Sequence, residues 1–147
     1  MRSGNTSNPE RRSEHAADQK TIVVVEDNAD IRDLLTVVFE DAGYRVIPLA
    51  DGLNVHEIVR ETHPSLVTLD LALPHVDGVQ VLSELKADPE TRPVPVVVIS
   101  AYTQRLPAEA AKKVASIIGK PFDIYQVLDE VERLTNDHAA NGQARDA

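Results

Sequence analysis

The chain contains no cysteine, so neither a disulfide framework nor a thiolate zinc site is available to it, in keeping with a reducing compartment. It also lacks any apolar run near the roughly 20 residues that a membrane-spanning helix needs. Residues 1–20 lack the continuous apolar segment of a secretory signal. These absences lead us to expect a cytoplasmic protein without membrane insertion. Basic residues are in deficit: 15 Lys and Arg stand against 24 Asp and Glu, a formal charge of −9. Binding to a nucleic-acid backbone requires a basic face, so DNA and RNA are excluded as expected partners. The histidines, at 15, 56, 63, 75 and 138, show no metal-ligand spacing. No internal repeat or long low-complexity tract is present.

The two ends also lack branched aliphatic residues. Residues 1–19 carry Ser, Asn, Glu and Arg and residues 135–147 are similarly polar, and neither buries enough apolar area to offset the entropy of ordering. We expect disordered tails there and one domain over residues 20–134. That length is sufficient for a single core without covalent staples.

Within that span, short apolar runs alternate with helical patterns. Four of the runs end on a polar side chain. Residues 21–25 lead into Glu26-Asp27, 66–69 into Asp70, 96–99 into Ser100, and 116–119 into Lys120-Pro121. A fifth strand is expected over residues 46–49. Ile31, Leu34, Leu35, Val38 and Phe39 repeat at one-face helical spacing. Asn28 or Asp30 is placed to cap that helix and Gly43 to end it. Val55, Ile58 and Val59 mark a short helix stopping near His63-Pro64, and Val79, Leu82 and Leu85 stripe the next. Asp77-Gly78 reads as the turn that starts that helix. Residues 94–99 suit a strand buried on both faces. The segment between Pro107 and Val114 is short and alanine-rich. Ile124, Val127, Leu128, Val131 and Leu134 give the last helix its apolar face.

A strand-helix alternation with right-handed crossovers makes a parallel sheet, and all its carboxyl ends then share one edge. Ligands of open α/β sheets bind at that edge. Glu26, Asp27 and Asp70 would meet there, and three carboxylates in one pocket repel unless a cation joins them or some become protonated. A hard divalent ion with oxygen ligands, Mg2+, suits such a site.

The motifs VVVEDN, LVTLDLALPHVDG, VVVISA and GKPFD, in this order and each closing an expected strand, resemble the receiver domain of two-component response regulators. That family is phosphorylated on aspartate by histidine kinases. The resemblance runs from about Lys20 to Leu134 and implies a doubly wound five-stranded parallel sheet of order 2-1-3-4-5, the flavodoxin-like arrangement. It also implies that Asp70 accepts a phosphoryl group from a histidine kinase or histidine phosphotransfer protein. Mg2+ would be held by Asp27, Asp70 and the backbone carbonyl of Ala72, with Glu26 acting through a water. Lys120 would supply a cation to the phosphoryl oxygens, with Pro121 after it, in the family usually through a cis bond. Ser100, followed by Ala101, would swing its hydroxyl toward the new phosphate, which adds roughly two negative charges and three acceptor oxygens. The implied role is a single-domain phosphorelay switch, a phosphoacceptor rather than a turnover enzyme. Its other partner would be a downstream protein of unknown identity, and phosphorylation-dependent homodimerisation stays open.

The sequence departs from the family pattern in three places. Ile117 stands where many receivers carry Tyr or Phe, which leaves Tyr102, two residues after Ser100, as the alternative aromatic reporter. The segment between Ser100 and Lys120 is shorter than usual. Ala72 offers no polar side chain to position an attacking water, so we expect a persistent phosphoryl group. Ala72 also breaks the Asp-x-Asp pair that a metal-dependent phosphoryl- or nucleotidyl-transfer enzyme would need. The other alternative, a receiver-like adaptor that is never phosphorylated, is disfavoured because the acceptor and its lysine are both present.

Overall fold

The computed structural model describes residues 19–146, so the tail expected over residues 1–19 lies almost wholly outside the described residues. Five strands form one parallel sheet: β1 (Thr21–Val25), β2 (Arg45–Leu49), β3 (Leu66–Leu69), β4 (Val96–Ser100) and β5 (Ser116–Gly119). Their spatial order is β2-β1-β3-β4-β5, the doubly wound order implied by the motifs. The helices between them are α1 (Ala29–Asp41), α2 (Val55–Thr62), α3 (Gly78–Ala87), α4 (Ala108–Ala111) and α5 (Ile124–Asp146). A short 3-10 turn lies at Thr103–Arg105.

The period of two along each strand sends alternate side chains to opposite faces. Val23, Val25, Val67, Leu69, Val96 and Val98 pack on α2 and α3 through Val55, Val59, Val81, Leu82 and Leu85. Ile22, Val24, Leu66, Val97, Ile99 and Ile118 pack on α1 and α5 through Leu35, Phe39, Val127 and Val131. Helices on both faces explain why β1, β3 and β4 read as nearly unbroken apolar runs.

Several boundaries differ from expectation. β4 starts at Val96, because Pro95 has no N–H to give a ladder, and Ser100 is its last residue rather than the first beyond it. β2 begins at Arg45 and admits Pro48 because it is an edge strand. In α3 the buried stripe is Val81, Leu82 and Leu85, with Val79 only partly covered. Asn28 caps α1, its side chain accepting from the Ile31 N–H at 2.9 Å. Gly43 follows that helix with φ +100°, a conformation open to glycine.

The largest difference concerns the tail expected over residues 135–147, since α5 continues to Asp146. Thr135 is buried and its hydroxyl pairs with the Tyr44 hydroxyl at 3.0 Å. Extending a helix that packing has already nucleated costs far less than starting one. No helix among the described residues is long and apolar enough to cross a membrane.

Candidate functional site

Glu26 is carried past the end of β1 by a bond from its N–H to the Leu49 carbonyl, 2.9 Å. Asp70 leaves β3 the same way, its N–H donating to the Val25 carbonyl at 3.1 Å. The Lys120 N–H donates to the Ser100 carbonyl at 3.1 Å, tying the ends of β4 and β5. Parallel pairing thus delivers residues far apart in sequence to one edge.

There the carboxylate oxygens of Glu26, Asp27 and Asp70 lie within 4.8 Å of one another. Glu26 and Asp70 are buried and Asp27 is exposed. The Lys120 ammonium sits 2.8 Å from Glu26 Oε1 and 2.8 Å from Asp70 Oδ2. Asp70 Oδ1 accepts from the Ala72 N–H at 3.1 Å. Glu26 Oε2 accepts from the Asn28 N–H at 3.0 Å, and Arg32 Nη1 donates to the Glu26 and Asp27 carbonyls at 2.9 and 3.3 Å. The Glu26 and Asp70 carboxylates are therefore aimed rather than free to rotate, and Arg32 holds the backbone that carries Asp27.

The charges do not balance. Three carboxylates against one ammonium leave a formal charge of −2 when all are ionised. Burial pushes the Glu26 carboxyl above its ordinary range, outweighing the hydrogen bonds from Lys120 and Asn28, and the nearby Asp70 charge adds to the rise. For Lys120, burial acts to lower the pKa, but hydrogen bonds to Asp70 and Glu26 and their charges reverse it, so the ammonium is held above its usual value. A cluster of hard oxygen donors with two uncompensated charges fits a divalent cation such as Mg2+, which takes one or two carboxylates and keeps waters.

Ser100 is fully buried, and its Oγ accepts from the Tyr102 N–H at 3.1 Å. A hydroxyl that accepts one bond still has its proton to donate. Ala101 is exposed beside it. Tyr102 is 41% exposed, with the Arg105 guanidinium over its ring at 4.2 Å. Ile117 is exposed on β5, away from the carboxylates' edge by two residues. The Lys120–Pro121 peptide is cis. His75, with φ +70°, faces Asp51 at 3.6 Å and lies largely in solvent.

Sequence reasoning missed three supports. It gave Lys120 no contact with Glu26, assigned Asn28 only as a helix cap, and read Gly78 only as part of the turn that starts α3. A Cβ at Gly78 would lie 2.3 Å from the Asp70 carbonyl oxygen and 2.5 Å from Leu71 Cα, so the chain crosses directly behind the acidic pocket and only glycine fits. Asp77 caps α3 as expected, accepting from the Val79 N–H at 2.8 Å. The Asp-Gly pair was the available signal.

Residues 22–132 match the family model of the response regulator receiver domain. Sporulation initiation phosphotransferase F of Bacillus subtilis (strain 168) is 33% identical over 114 residues, covering 76% of this chain and 90% of that protein. The polar-differentiation response regulator DivK of Brucella ovis is 30% identical over 120 residues, covering 80% of this chain and 98% of its own length. Among solved structures, the signal receiver domain of a putative Luxo repressor protein from Vibrio parahaemolyticus superposes with a TM-score of 0.77 at 20% identity, covering 86% and 97% of the two chains. The receiver domain of a Pseudomonas aeruginosa PAO1 sensor histidine kinase, solved with magnesium in its active-site cleft, gives 0.72 at 23% identity, covering 80% and 98%. With sheet order, acidic pocket and family match in agreement, this chain belongs to the response regulator receiver family.

Proposed function

We propose that Asp70 accepts a phosphoryl group from a phosphohistidine on a histidine kinase or histidine phosphotransfer protein, and that the aspartyl phosphate switches binding to a downstream protein. The observation that carries this reading is the Asp70 carboxylate itself. It is buried, fixed through Oδ1 by the Ala72 N–H, and bonded through Oδ2 to the Lys120 ammonium.

In the transfer, an Asp70 oxygen forms a bond to phosphorus while the phosphorus–nitrogen bond to the donor imidazole breaks. The electron pair leaves on that nitrogen, which then takes up a proton. Catalysis of such a transfer is positioning and charge stabilisation. Asp27, Asp70 and the Ala72 carbonyl would hold Mg2+, with Glu26 reaching it through a water, and the bound ion would neutralise charge shared between carboxylate and phosphoryl oxygens. Lys120 exchanges part of its contact with Asp70 for a phosphoryl oxygen, as a compact point charge. Pro121 shapes the turn that carries it. Ser100 gives its free proton to another phosphoryl oxygen, and the small side chain of Ala101 leaves that approach open. Moving Ser100 pulls on the Tyr102 N–H and so on the loop before α4. Tyr102, in place of an aromatic at Ile117, then reports the change.

The chain is a phosphoacceptor, with at most weak activity toward its own phosphorylation and dephosphorylation, and works in the cytoplasm with its donor. A shift from one in a hundred to ninety-nine in a hundred active molecules needs about 5.5 kcal/mol of differential stabilisation. Incubation with a radiolabelled phosphohistidine phosphotransfer domain and Mg2+ tests the proposal. Label should move to the wild-type chain and not to Asp70→Asn; equal labelling of the variant would place the acceptor elsewhere.

A further inference from the structure

We infer that the end of α3, the α3–β4 connection and the segment after α4 form a second binding site, for a phosphate-bearing small molecule of nucleotide size. A cavity of about 430 Å3 opens there, lined by Lys86, Arg92 and Lys113. Volumes of roughly 300–1,000 Å3 are usual for small-molecule sites. A second cavity, at Lys20, Pro64 and Thr135, reaches only about 200 Å3 and has a mainly apolar wall.

The described side chains that line it are cationic, in a protein whose formal charge is −9. None of the three has a carboxylate partner among the described residues. Nearby acids are engaged elsewhere: Asp88 with His56 at 2.8 Å, Glu90 with Arg60 at 3.4 Å and Glu109 with Lys112 at 3.4 Å. Two of the three cations are also fixed. Lys86 Nζ donates to the Arg92 and Val94 carbonyls, each at 2.9 Å, which uses two of its three N–H donors. Arg92 donates through Nε to the Lys86 carbonyl at 2.9 Å and through Nη2 to the Ala87 carbonyl at 3.3 Å, leaving the rest of its fork unused. Lys113 makes no side-chain hydrogen bond among the described residues. Burial holds the Lys86 ammonium below its ordinary pKa, and a bound anion would relieve that cost. Paired donors from Arg with point charges from Lys are the chemistry that recognises phosphate.

The site is remote from Asp70. Its connections feed the amino ends of β4 and β5, whereas Asp70 lies at the carboxyl edge, and the five residues of β4 span roughly 16 Å. Binding here therefore does not require the acidic pocket and is independent of the proposed phosphorylation.

The test is a titration of the full chain with adenosine monophosphate, without Mg2+ and at about 0.15 M salt, followed by amide NMR. Saturable shifts should centre on residues 86, 92 and 113 and spare 70 and 120. Inorganic phosphate should bind the same amides more weakly, and adenosine should not bind. Lys113→Gln, which disturbs no contact, should weaken binding by about tenfold, the scale of one charged hydrogen bond. Shifts confined to 70 and 120, no saturation, or an unchanged affinity in Lys113→Gln would overturn the inference.

Discussion

β4 and β5 are hydrogen-bonded neighbours that both end in the functional pocket, yet they are held very differently. β4 is buried along its whole length, whereas β5 buries Ile118 alone and leaves Ile117 44% exposed. The segment joining them, with a three-residue 3-10 turn and a four-residue α4, buries no residue in either element. A signalling switch needs one rigid wall to fix its chemistry and one lightly packed wall to move, and low local stability follows from few buried apolar contacts. Ser100 sits at the seam, fully buried at the end of the rigid strand and bonded to the backbone of the lighter loop.

The largest expected effect comes from cutting the link across the pocket. Lys120→Met leaves two buried carboxylates without their shared cation, and breaking such an arrangement costs about 3–5 kcal/mol. Urea unfolding should show that loss in chelator and a smaller one in millimolar Mg2+; equal losses would mean that the metal does not enter this pocket. Within the core, Ile99→Ala on β4 should cost about 2–5 kcal/mol. The equivalent change at Ile117 on β5 should stay within about 0.5 kcal/mol. Similar values for the two would erase the contrast.

A smaller effect lies at the far end of the sheet. Burial foremost raises the Tyr44 pKa, against the hydrogen bond with Thr135 and with the Glu132 charge adding to the rise. The folded chain thus holds the phenol proton more tightly than the unfolded one. The stability from neutral Tyr44 is complete below the unfolded value, near 10, and is lost as pH rises through the folded value. Tyr44→Phe should cost about 1 kcal/mol at neutral pH and should show a shallower alkaline decline than wild type in pH-dependent melts.

The same contrast governs what was legible in sequence. β1, β3 and β4 could be read because burial on both faces demands unbroken aliphatic runs, and the polar residue that ends each run marks the sheet edge. Glu26, Asp27, Asp70 and Ser100 were placed at the edge that way, whereas Lys120 follows the less buried β5. The sheet order came only with the family motifs, since local patterns carry no information on which strands pair. Gly78 was read only as a turn residue because its second reason, a close crossing behind the Asp70 backbone, exists only in three dimensions. The Tyr44–Thr135 pair, 91 residues apart, was hidden for the same reason. It also explains why the domain edge drawn at Leu134 fell inside α5. Polar composition argues against a core and does not forbid a helix already nucleated from continuing.

The central claim is that a pocket with two surplus negative charges takes up Mg2+ and then an added anion at Asp70. Intact-mass measurement after incubation with a small acyl phosphate addresses it most directly. The account predicts one phosphoryl adduct in Mg2+, none in chelator and none in Asp70→Asn. An adduct that forms equally well without divalent metal, or that persists in the variant, would contradict it.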